Sequence, residues 1–332
     1  MKGLIRIFLV FIVFLAACSG ARDTGTPGVL LAEEAPPTAQ PVVPTVEPTF
    51  ATREPPLPAA TATAAQSEPT PELPTETPAP TATLSPDGWK IFPVVPVVSA
   101  SVQQIYQRGL ELGNNPQAFS KIGDCGSTPA WFLGDFDRGP AFYSLGEHTY
   151  LEPVIQEFQG SYARTSLAAR SGFNVSSILS PFWADAKQCL ANETPLACEV
   201  RVHRPMFAFV MLGTNDVYHL DSFEPGMRQL IEFLIENGVV PILSTKADNL
   251  EGDESVNATL TRLALEYEIP LLNYWQALQS LPNQGLQEDQ AHITYGRNRF
   301  DDPWMMETGW TVRNLTALQA LDAVWKAVDE QP

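Results

Sequence analysis

Residues 206–212 form an unbroken run of seven apolar side chains that ends in a polar turn. Such a run is typical of a strand buried on both faces, because a half-exposed strand alternates apolar and polar residues. Two further apolar runs follow, and each is preceded by a segment of helical periodicity. In chain order these segments are 227–238 (helical), 239–247 (apolar), 259–268 (helical) and 269–275 (apolar). The alternation predicts a parallel sheet that is covered by helices on both faces.

Two more helices and one more strand complete the predicted domain. Residues 101–113 begin with Ser, carry apolar residues at helical spacing and end in Gly, which predicts a helix. Residues 118–125 predict a short strand that enters a turn containing glycine. Residues 311–330 carry a stripe of Leu, Val and Trp at helical spacing, and this stripe predicts a final helix packed on the core.

The first 18 residues carry two basic residues ahead of an apolar run and end in small residues before Cys18. This pattern predicts a secretion signal that is not part of the fold. Leu15-Ala16-Ala17-Cys18 resembles a bacterial lipobox, which implies cleavage before Cys18 and acylation of its thiol. An uncleaved membrane anchor is the alternative, but the run is shorter than the ~20 apolar residues of a stable span. We therefore expect an extracytoplasmic protein of the bacterial cell envelope, anchored to a membrane by its lipid.

Residues 19–86 consist largely of Pro, Thr, Ala and Glu and show no apolar periodicity. A segment of this composition cannot bury enough apolar surface to offset the entropy of ordering it. Closely spaced prolines favour extended chain, so the segment predicts a disordered, semi-rigid Pro/Thr-rich stalk. Residues 87–332 remain, and they are enough for one sizeable α/β domain.

The chain has 20 Lys and Arg against 38 Asp and Glu, a formal net charge of −18. Nucleic acids are bound by clustered basic side chains, so this balance argues against a nucleic-acid partner. An acidic surface also disfavours anionic polymers as substrates. No spacing of His and Cys matches a zinc site, and neither a metal nor a cofactor is predicted. We expect a monomer.

Three cysteines lie in the predicted domain: Cys125, Cys189 and Cys198. Cys189 and Cys198 stand nine positions apart in a segment with Asn and Pro that predicts a loop. Their spacing is compatible with a disulfide in an oxidising compartment. Cys125 would then be the odd thiol of the domain, and an odd thiol in an exported protein indicates a specific role.

Polar residues follow the predicted strands at places that a parallel sheet brings to one edge, outside the carboxyl ends of its strands. These places are Gly123-Asp124-Cys125, Gly213-Thr214-Asn215-Asp216 and Asp289-Gln290-Ala291-His292. In this order the motifs resemble those of the SGNH hydrolases, also called GDSL-type lipases and esterases, over residues 119–325. Gly-Thr-Asn-Asp and Asp-x-x-His match the family pattern directly, and Gly172 is the candidate for the glycine between them.

The resemblance implies a three-layer α/β/α domain with a mainly parallel, flavodoxin-like sheet, and a site for acyl transfer. His292 would be the general base, and Asp289 would fix its tautomer. The backbone N–H groups of Cys125 and Gly172, with the Asn215 amide, would bind the oxyanion. The chain departs from the family at the nucleophile, where Cys125 replaces Ser. A thiol beside an imidazole is a strong nucleophile, but it demands a different geometry and leaving group.

Three secondary assignments stay open from the sequence. Ser127 is an alternative hydroxyl nucleophile two residues beyond the cysteine. Asp124 and Asp216 are expected to cap the helices that follow their turns. His219, three positions after Asp216, is a candidate for the rim of the pocket.

Two classes of function fit these residues. The first is an exported, membrane-anchored hydrolase or acyltransferase that acts on small esters or on the acyl groups of carbohydrates. The second is a surface protein that keeps the fold and binds a ligand without turnover. Retention of Asp289, His292 and Asn215 favours catalysis, whereas the replacement of the serine favours binding.

Overall fold

The structure is a computed structural model that describes residues 87–329. The predicted signal segment, Cys18 and the predicted stalk lie outside these residues. The strands of the described part are β1 Asn115–Gly123, β2 Pro205–Met211, β3 Val240–Ser244 and β4 Leu271–Leu272. Its α-helices are α1 Ala100–Leu112, α2 Glu152–Glu157, α3 Val175–Ile178, α4 Pro195–His203, α5 Leu220–Glu236, α6 Ser255–Glu266, α7 Tyr274–Leu278 and α8 Gly309–Asp329.

The four strands pair in parallel in the order β1-β2-β3-β4. A short fifth segment pairs with the outer edge of β1. There the Gly123 N–H donates to the Ala168 carbonyl (3.0 Å), and the Arg170 N–H donates to the Gly123 carbonyl (3.2 Å). This segment comes second in the sequence, between β1 and β2, but in the sheet it lies at the edge, on the side of β1 away from β2. The arrangement is therefore the flavodoxin-like order 2-1-3-4-5.

Helices cover both faces of the sheet, which confirms the predicted three-layer α/β/α architecture. On one face α8 packs against α1, α2 and α7, and α1 contacts β2 and β3. On the other face α4 contacts β1, while α5 and α6 contact β3 and each other. Within residues 87–329, none of the helices combines the length and the apolar composition that a membrane crossing requires.

The apolar run at 206–212 becomes the centre of the core. Every residue of β2 is buried, as expected for a strand covered on both faces. Phe119 of β1 packs edge-on against Phe209 of β2 (centroids 5.7 Å), and Phe132 packs against the same ring at 5.3 Å. This aromatic contact anchors the end of β1, from which the Gly123-Asp124-Cys125 turn emerges.

Three elements differ from the sequence-based prediction. The helix predicted at 227–238 begins earlier, at Leu220. The strand predicted at 269–275 is reduced to β4, since Pro270 has no N–H to donate and Asn273 already caps α7 through its side chain (3.3 Å to the Gln276 N–H). The loop predicted around Cys198 is instead the helix α4. Its N-cap Thr194 accepts the Ala197 N–H (3.1 Å) and is followed by a proline at the first helical position.

The predicted disulfide between Cys189 and Cys198 is confirmed. The two Cα atoms lie 5.3 Å apart, within the range that a disulfide spans. The bond ties α4 to the irregular segment before it. Cys125 is the thiol of the described domain that remains outside this pair.

Candidate active site

A cavity of about 490 Å³ opens at the carboxyl edge of the sheet. Its walls come from the segments that follow β1, the 168–170 pairing, β2, β3 and β4, together with α8. The structure brings all five predicted site residues to this one cavity, and they are Cys125, Gly172, Asn215, Asp289 and His292. The convergence follows from the topology, because parallel strands end at the same edge.

The turn after β1 presents Cys125 to the cavity. Asp124 Oδ1 accepts the Gly126 N–H at 2.8 Å and caps the 3₁₀ turn Cys125–Ser127, as predicted for Asp124. Ser127 points the other way: it is fully buried and lies outside the cavity lining, and a Cβ added to Gly123 would lie 2.2 Å from its Oγ. The alternative nucleophile is therefore excluded on geometry, and glycine is required at position 123.

The Asp289 carboxylate holds the His292 imidazole in one orientation. Asp289 Oδ2 lies 2.6 Å from His292 Nδ1, while Oδ1 accepts the N–H groups of Ala291 (3.1 Å) and His292 (3.0 Å). Partial burial opposes ionisation of Asp289, but the backbone and ring donors of His292 outweigh it and hold its pKa below the usual value. A carboxylate at Nδ1 leaves Nε2 as the free ring nitrogen.

The Gly-Thr-Asn-Asp turn after β2 is fastened to the loop that carries Gly172. Buried Asp216 accepts the Gly213 N–H (3.0 Å) and the Val175 N–H at the start of α3 (2.9 Å). Burial raises its pKa to about 6 against these two hydrogen bonds. Asp216 thus caps a helix that precedes its turn in the chain, and the prediction that it caps the following helix was wrong.

Asn215 and Gly172 both line the cavity, and Asn215 contacts the residue that follows Gly172. One N–H of the Asn215 amide donates to the Phe173 carbonyl (3.0 Å), which fixes the amide plane and leaves its second N–H for another acceptor. Gly172 has φ +80°, and a Cβ there would meet no atom within 4 Å. Its glycine is therefore required by backbone conformation and not by space.

The rim of the cavity is formed by Tyr218, whose ring is exposed, and not by His219. His219 is the N-cap residue of α5 and lies outside the cavity lining, so that part of the prediction was wrong. An exposed aromatic ring at the rim offers an apolar surface at the entrance of the cavity.

Arg313 of α8 is a site residue that the sequence did not reveal. Its guanidinium is buried in the cavity wall, stacks on the Phe132 ring (4.6 Å to the centroid) and would lie 3.2 Å from a Cβ placed on Gly126. Burial lowers the pKa of Arg313, opposed by the charges of Tyr274, Asp124 and Cys125. The available signal was a single basic residue in the otherwise uncharged first half of α8.

A buried ion cluster forms the wall beyond β3. Lys246 Nζ donates to Asp248 Oδ1 (2.6 Å) and to the Asp248 carbonyl (2.9 Å), and it also pairs with Glu251. Asp248 Oδ2 in turn accepts the Thr214 hydroxyl at 2.7 Å. The cluster connects the turns after β2 and β3, and its one ammonium is shared by two carboxylates, so it braces the cavity.

These parts supply a thiol, an oriented imidazole, an amide donor and a buried guanidinium around one cavity. Such a set is suited to covalent acyl transfer, in which a nucleophile, a base and an oxyanion site act on one carbonyl group. The described residues at the cavity offer no cluster of ligands for a metal ion.

No protein-family model and no curated protein matches the chain. Among solved structures it is similar to a GDSL-like lipase from Bacteroides thetaiotaomicron VPI-5482 (16% identity, TM-score 0.38, covering 67% of this chain and 97% of that one). It is also similar to a catalytic mutant of Axe2, an acetylxylan esterase from Geobacillus stearothermophilus (16% identity, TM-score 0.39, covering 63% of this chain and 94% of that one). A third similar structure is the esterase EstA from Pseudoalteromonas sp. (12% identity, TM-score 0.39, covering 64% of this chain and 99% of that one). At such low identity the likeness assigns no role to any residue of this chain.

Proposed function

We propose that the domain catalyses acyl transfer from esters, with Cys125, His292 and Asp289 as nucleophile, base and orienting carboxylate. The observation that carries the proposal is that Cys125 shares one cavity with His292, whose Nδ1 lies 2.6 Å from Asp289 Oδ2. Asp289 has two oxygens engaged by three donors of the same turn, so it serves the histidine and not the substrate.

In the first step His292 Nε2 takes the Cys125 proton and the sulfur attacks the carbonyl carbon of the ester. The tetrahedral intermediate then expels the alcohol, which receives the proton from His292. In the second step a water or an acceptor hydroxyl loses a proton to His292 and attacks the acyl-cysteine. This releases the acid or the new ester and restores the thiol.

The oxyanion of each intermediate would lie against the Asn215 amide and the backbone N–H groups of Gly172 and Cys125. The Asn215 amide plane is already set by its hydrogen bond to Phe173, so the second N–H is positioned before the substrate arrives. A donor of this kind typically contributes ~3 kcal/mol of transition-state stabilisation.

The buried Arg313 would support the thiolate of Cys125. Its guanidinium lies beside Gly126, the residue after the cysteine, and a cation at that position favours the charged form of the sulfur. A thiolate also leaves a tetrahedral centre more readily than an alkoxide does. We therefore expect thioesters and activated esters to turn over faster than simple alkyl esters. Acylated carbohydrates stay the proposed natural substrate class, and as alkyl esters they should belong to the slower group.

The test is turnover of an activated ester and of a thioester by the purified protein, before and after alkylation of the thiol. We expect activity that alkylation abolishes and that Cys125→Ala and His292→Ala each lack. His219→Ala, an exposed histidine outside the cavity, is the matched control and should retain activity. Cys125→Ser restores the residue of the resembled family and should gain hydrolysis of simple esters. A protein inert toward both substrates, with an equally inert serine variant, would leave a ligand-binding function in place of catalysis.

We also propose that the protein is exported and held to a membrane by an acylated Cys18. The proposal rests on the apolar run and on Leu15-Ala16-Ala17-Cys18. Mass spectrometry of the protein from its native membrane fraction should find a lipid-modified Cys18 at the mature N-terminus. Recovery of an unmodified Cys18 from that fraction contradicts it.

A further inference from the structure

A second cavity, of about 480 Å³, adjoins the candidate active site. The two have no lining residue in common, but the same segments supply both. The helix α8 contributes Arg313 to the first cavity and Trp310 and Asn314 to the second, and the 289–298 segment contributes His292 to the first and Tyr295 to the second. Arg313, which lines the first cavity, lies 4.6 Å from the centroid of the Phe132 ring, which lines the second, so the two cavities meet at this pair of side chains.

The floor of this second cavity is a network of buried polar side chains. Asn298 and Asn314 are 3% and 1% exposed, and the Asn314 amide donates to Asn298 Oδ1 at 2.9 Å. Asn298 donates in turn to Asp135 Oδ2 (3.0 Å), and Asn314 Oδ1 accepts the Leu133 N–H (3.2 Å). The network fixes planar amide and carboxylate groups at the bottom of the cavity, where hydroxyl groups of a ligand can bond to them.

One side of the cavity carries an aromatic surface. The Trp310 ring lies 4.7 Å from that of Tyr295 and 5.0 Å from that of Trp131 (centroid to centroid). Tyr295, which lines the cavity, is 61% exposed, so part of its ring is open to a ligand, whereas Trp131 contacts Trp310 but does not line the cavity. The Trp310 Nε1 atom is buried and has no hydrogen-bond partner among residues 87–329. An indole donor of this kind is normally paired once a site is filled.

The charged residues of the lining are mostly basic, whereas the chain as a whole is acidic. Three arginines, Arg138, Arg297 and Arg299, line the cavity with a single acid, Asp135, in a chain of net charge −18. Arg138 pairs with Asp135 (2.9 Å), and Arg299 lies 3.5 Å from Asp301. Arg297 forms no ion pair with any residue in the described part of the chain.

We propose that the second cavity binds a carbohydrate that carries an anionic group, a carboxylate or a phosphate. Sugar rings stack on aromatic faces, their hydroxyls bond to fixed amides and carboxylates, and arginine forks match both anions. The acidic composition of the whole chain led us to expect that anionic polymers are disfavoured. The arginines of this cavity make it locally basic, so that expectation does not hold here. The inference deepens the proposed function, because it assigns the non-reacting part of the acylated substrate.

The test is binding, which does not need turnover, measured on the Cys125→Ala protein by tryptophan fluorescence and calorimetry. The probes are trigalacturonate for the carboxylate, glucose 6-phosphate for the phosphate and xylotriose as the neutral sugar. We expect one or both anionic probes to bind, with an affinity that falls as salt rises, and xylotriose to bind at least about tenfold more weakly. Which anionic probe binds more tightly identifies the source of the anion.

Variants distinguish binding in the second cavity from a general effect of surface charge. Arg297→Gln should raise the dissociation constant of the anionic probe about fivefold, and Tyr295→Ala should weaken the binding of every probe. Arg108→Gln, an exposed arginine of α1, removes the same charge elsewhere and should change nothing. The inference would be overturned if neutral and anionic sugars bound equally well, or if no probe bound. It would also be overturned if Arg297→Gln and Arg108→Gln weakened binding equally. Each of these results can arise whether or not Cys125 is catalytic, so the two proposals fail separately.

Discussion

Replacing Asp289 with Asn should change the tautomer of His292 while leaving the fold intact. Asp289 Oδ1 accepts two backbone N–H groups, from Ala291 and His292, whereas Oδ2 faces only His292 Nδ1. An Asn amide must therefore keep its oxygen toward the two backbone donors, because the opposite orientation would set N–H against N–H. The amide N–H then points at Nδ1, and the ring must carry its proton on Nε2. That tautomer cannot accept a proton from Cys125.

The size of the effect follows from the exposure of the pair. A buried carboxylate in this role contributes about 10⁴-fold to turnover. The side chains of His292 and Asp289 are 39% and 42% exposed, so water competes with the pair and weakens it. We expect Asp289→Asn to lower kcat/KM by roughly 10²- to 10³-fold, or about 3 to 4 kcal/mol.

The assay is hydrolysis of an activated ester, paired with ¹⁵N NMR of the His292 ring. The NMR spectrum reports the tautomer and is independent of turnover. Glu288→Gln, an exposed neighbouring carboxylate, is the control for loss of charge and should leave both readouts unchanged. If Asp289→Asn keeps the proton on Nδ1, or keeps full activity with the proton on Nε2, then the assigned role of the carboxylate is refuted.

Three further predictions concern stability and reactivity. Burial, reinforced by the charge of Arg164, lowers the pKa of Lys121 to about 7 in the folded protein, from 10.5 for an ordinary lysine. Between these two pH values the unfolded chain therefore binds more protons than the folded one. The free energy of unfolding, measured by denaturant titration, should therefore rise with pH across that window, by at most about 1.4 kcal/mol per pH unit. The variant Lys121→Met should flatten this rise. Reducing the Cys189–Cys198 bond should cost about 2 to 3 kcal/mol of unfolding free energy, and unchanged chemical denaturation would contradict this. Arg313→Met should slow alkylation of the active-site thiol at neutral pH, measured against the Arg108→Gln control.

The sequence was sufficient to predict the sheet because buried strands depend on local pattern, and the five candidate residues because three short motifs resemble those of a known family. An apolar run such as 206–212 specifies a buried strand, and the ends of parallel strands must meet at one edge. Cys125 and Asn215 each lie in or next to a turn at such a strand end, so their meeting in one cavity required no knowledge of side-chain packing, whereas His292 lies in a segment that no strand directly precedes.

Arg313 and the second cavity depend on packing that no local pattern encodes. Arg313 sits in a helix whose stripe of Leu and Val predicts a core face, and its burial follows from contact with Phe132, far away in sequence. The buried pair Asn298 and Asn314 likewise joins a loop to α8. The helix α4 was missed because Asn192 and Pro195 favour a loop, whereas Pro195, after the N-cap Thr194, is the first residue of the helix.

The rate of alkylation of Cys125 as a function of pH tests the catalytic proposal most directly, because it measures the thiolate without assuming a substrate. The midpoint should lie well below about 8.5, the pKa of an unperturbed cysteine, and should move up toward that value in His292→Ala but not in His219→Ala. A midpoint at or above about 8.5 in the unaltered protein, or one that His292→Ala leaves in place, would contradict the assignment of Cys125 as the nucleophile.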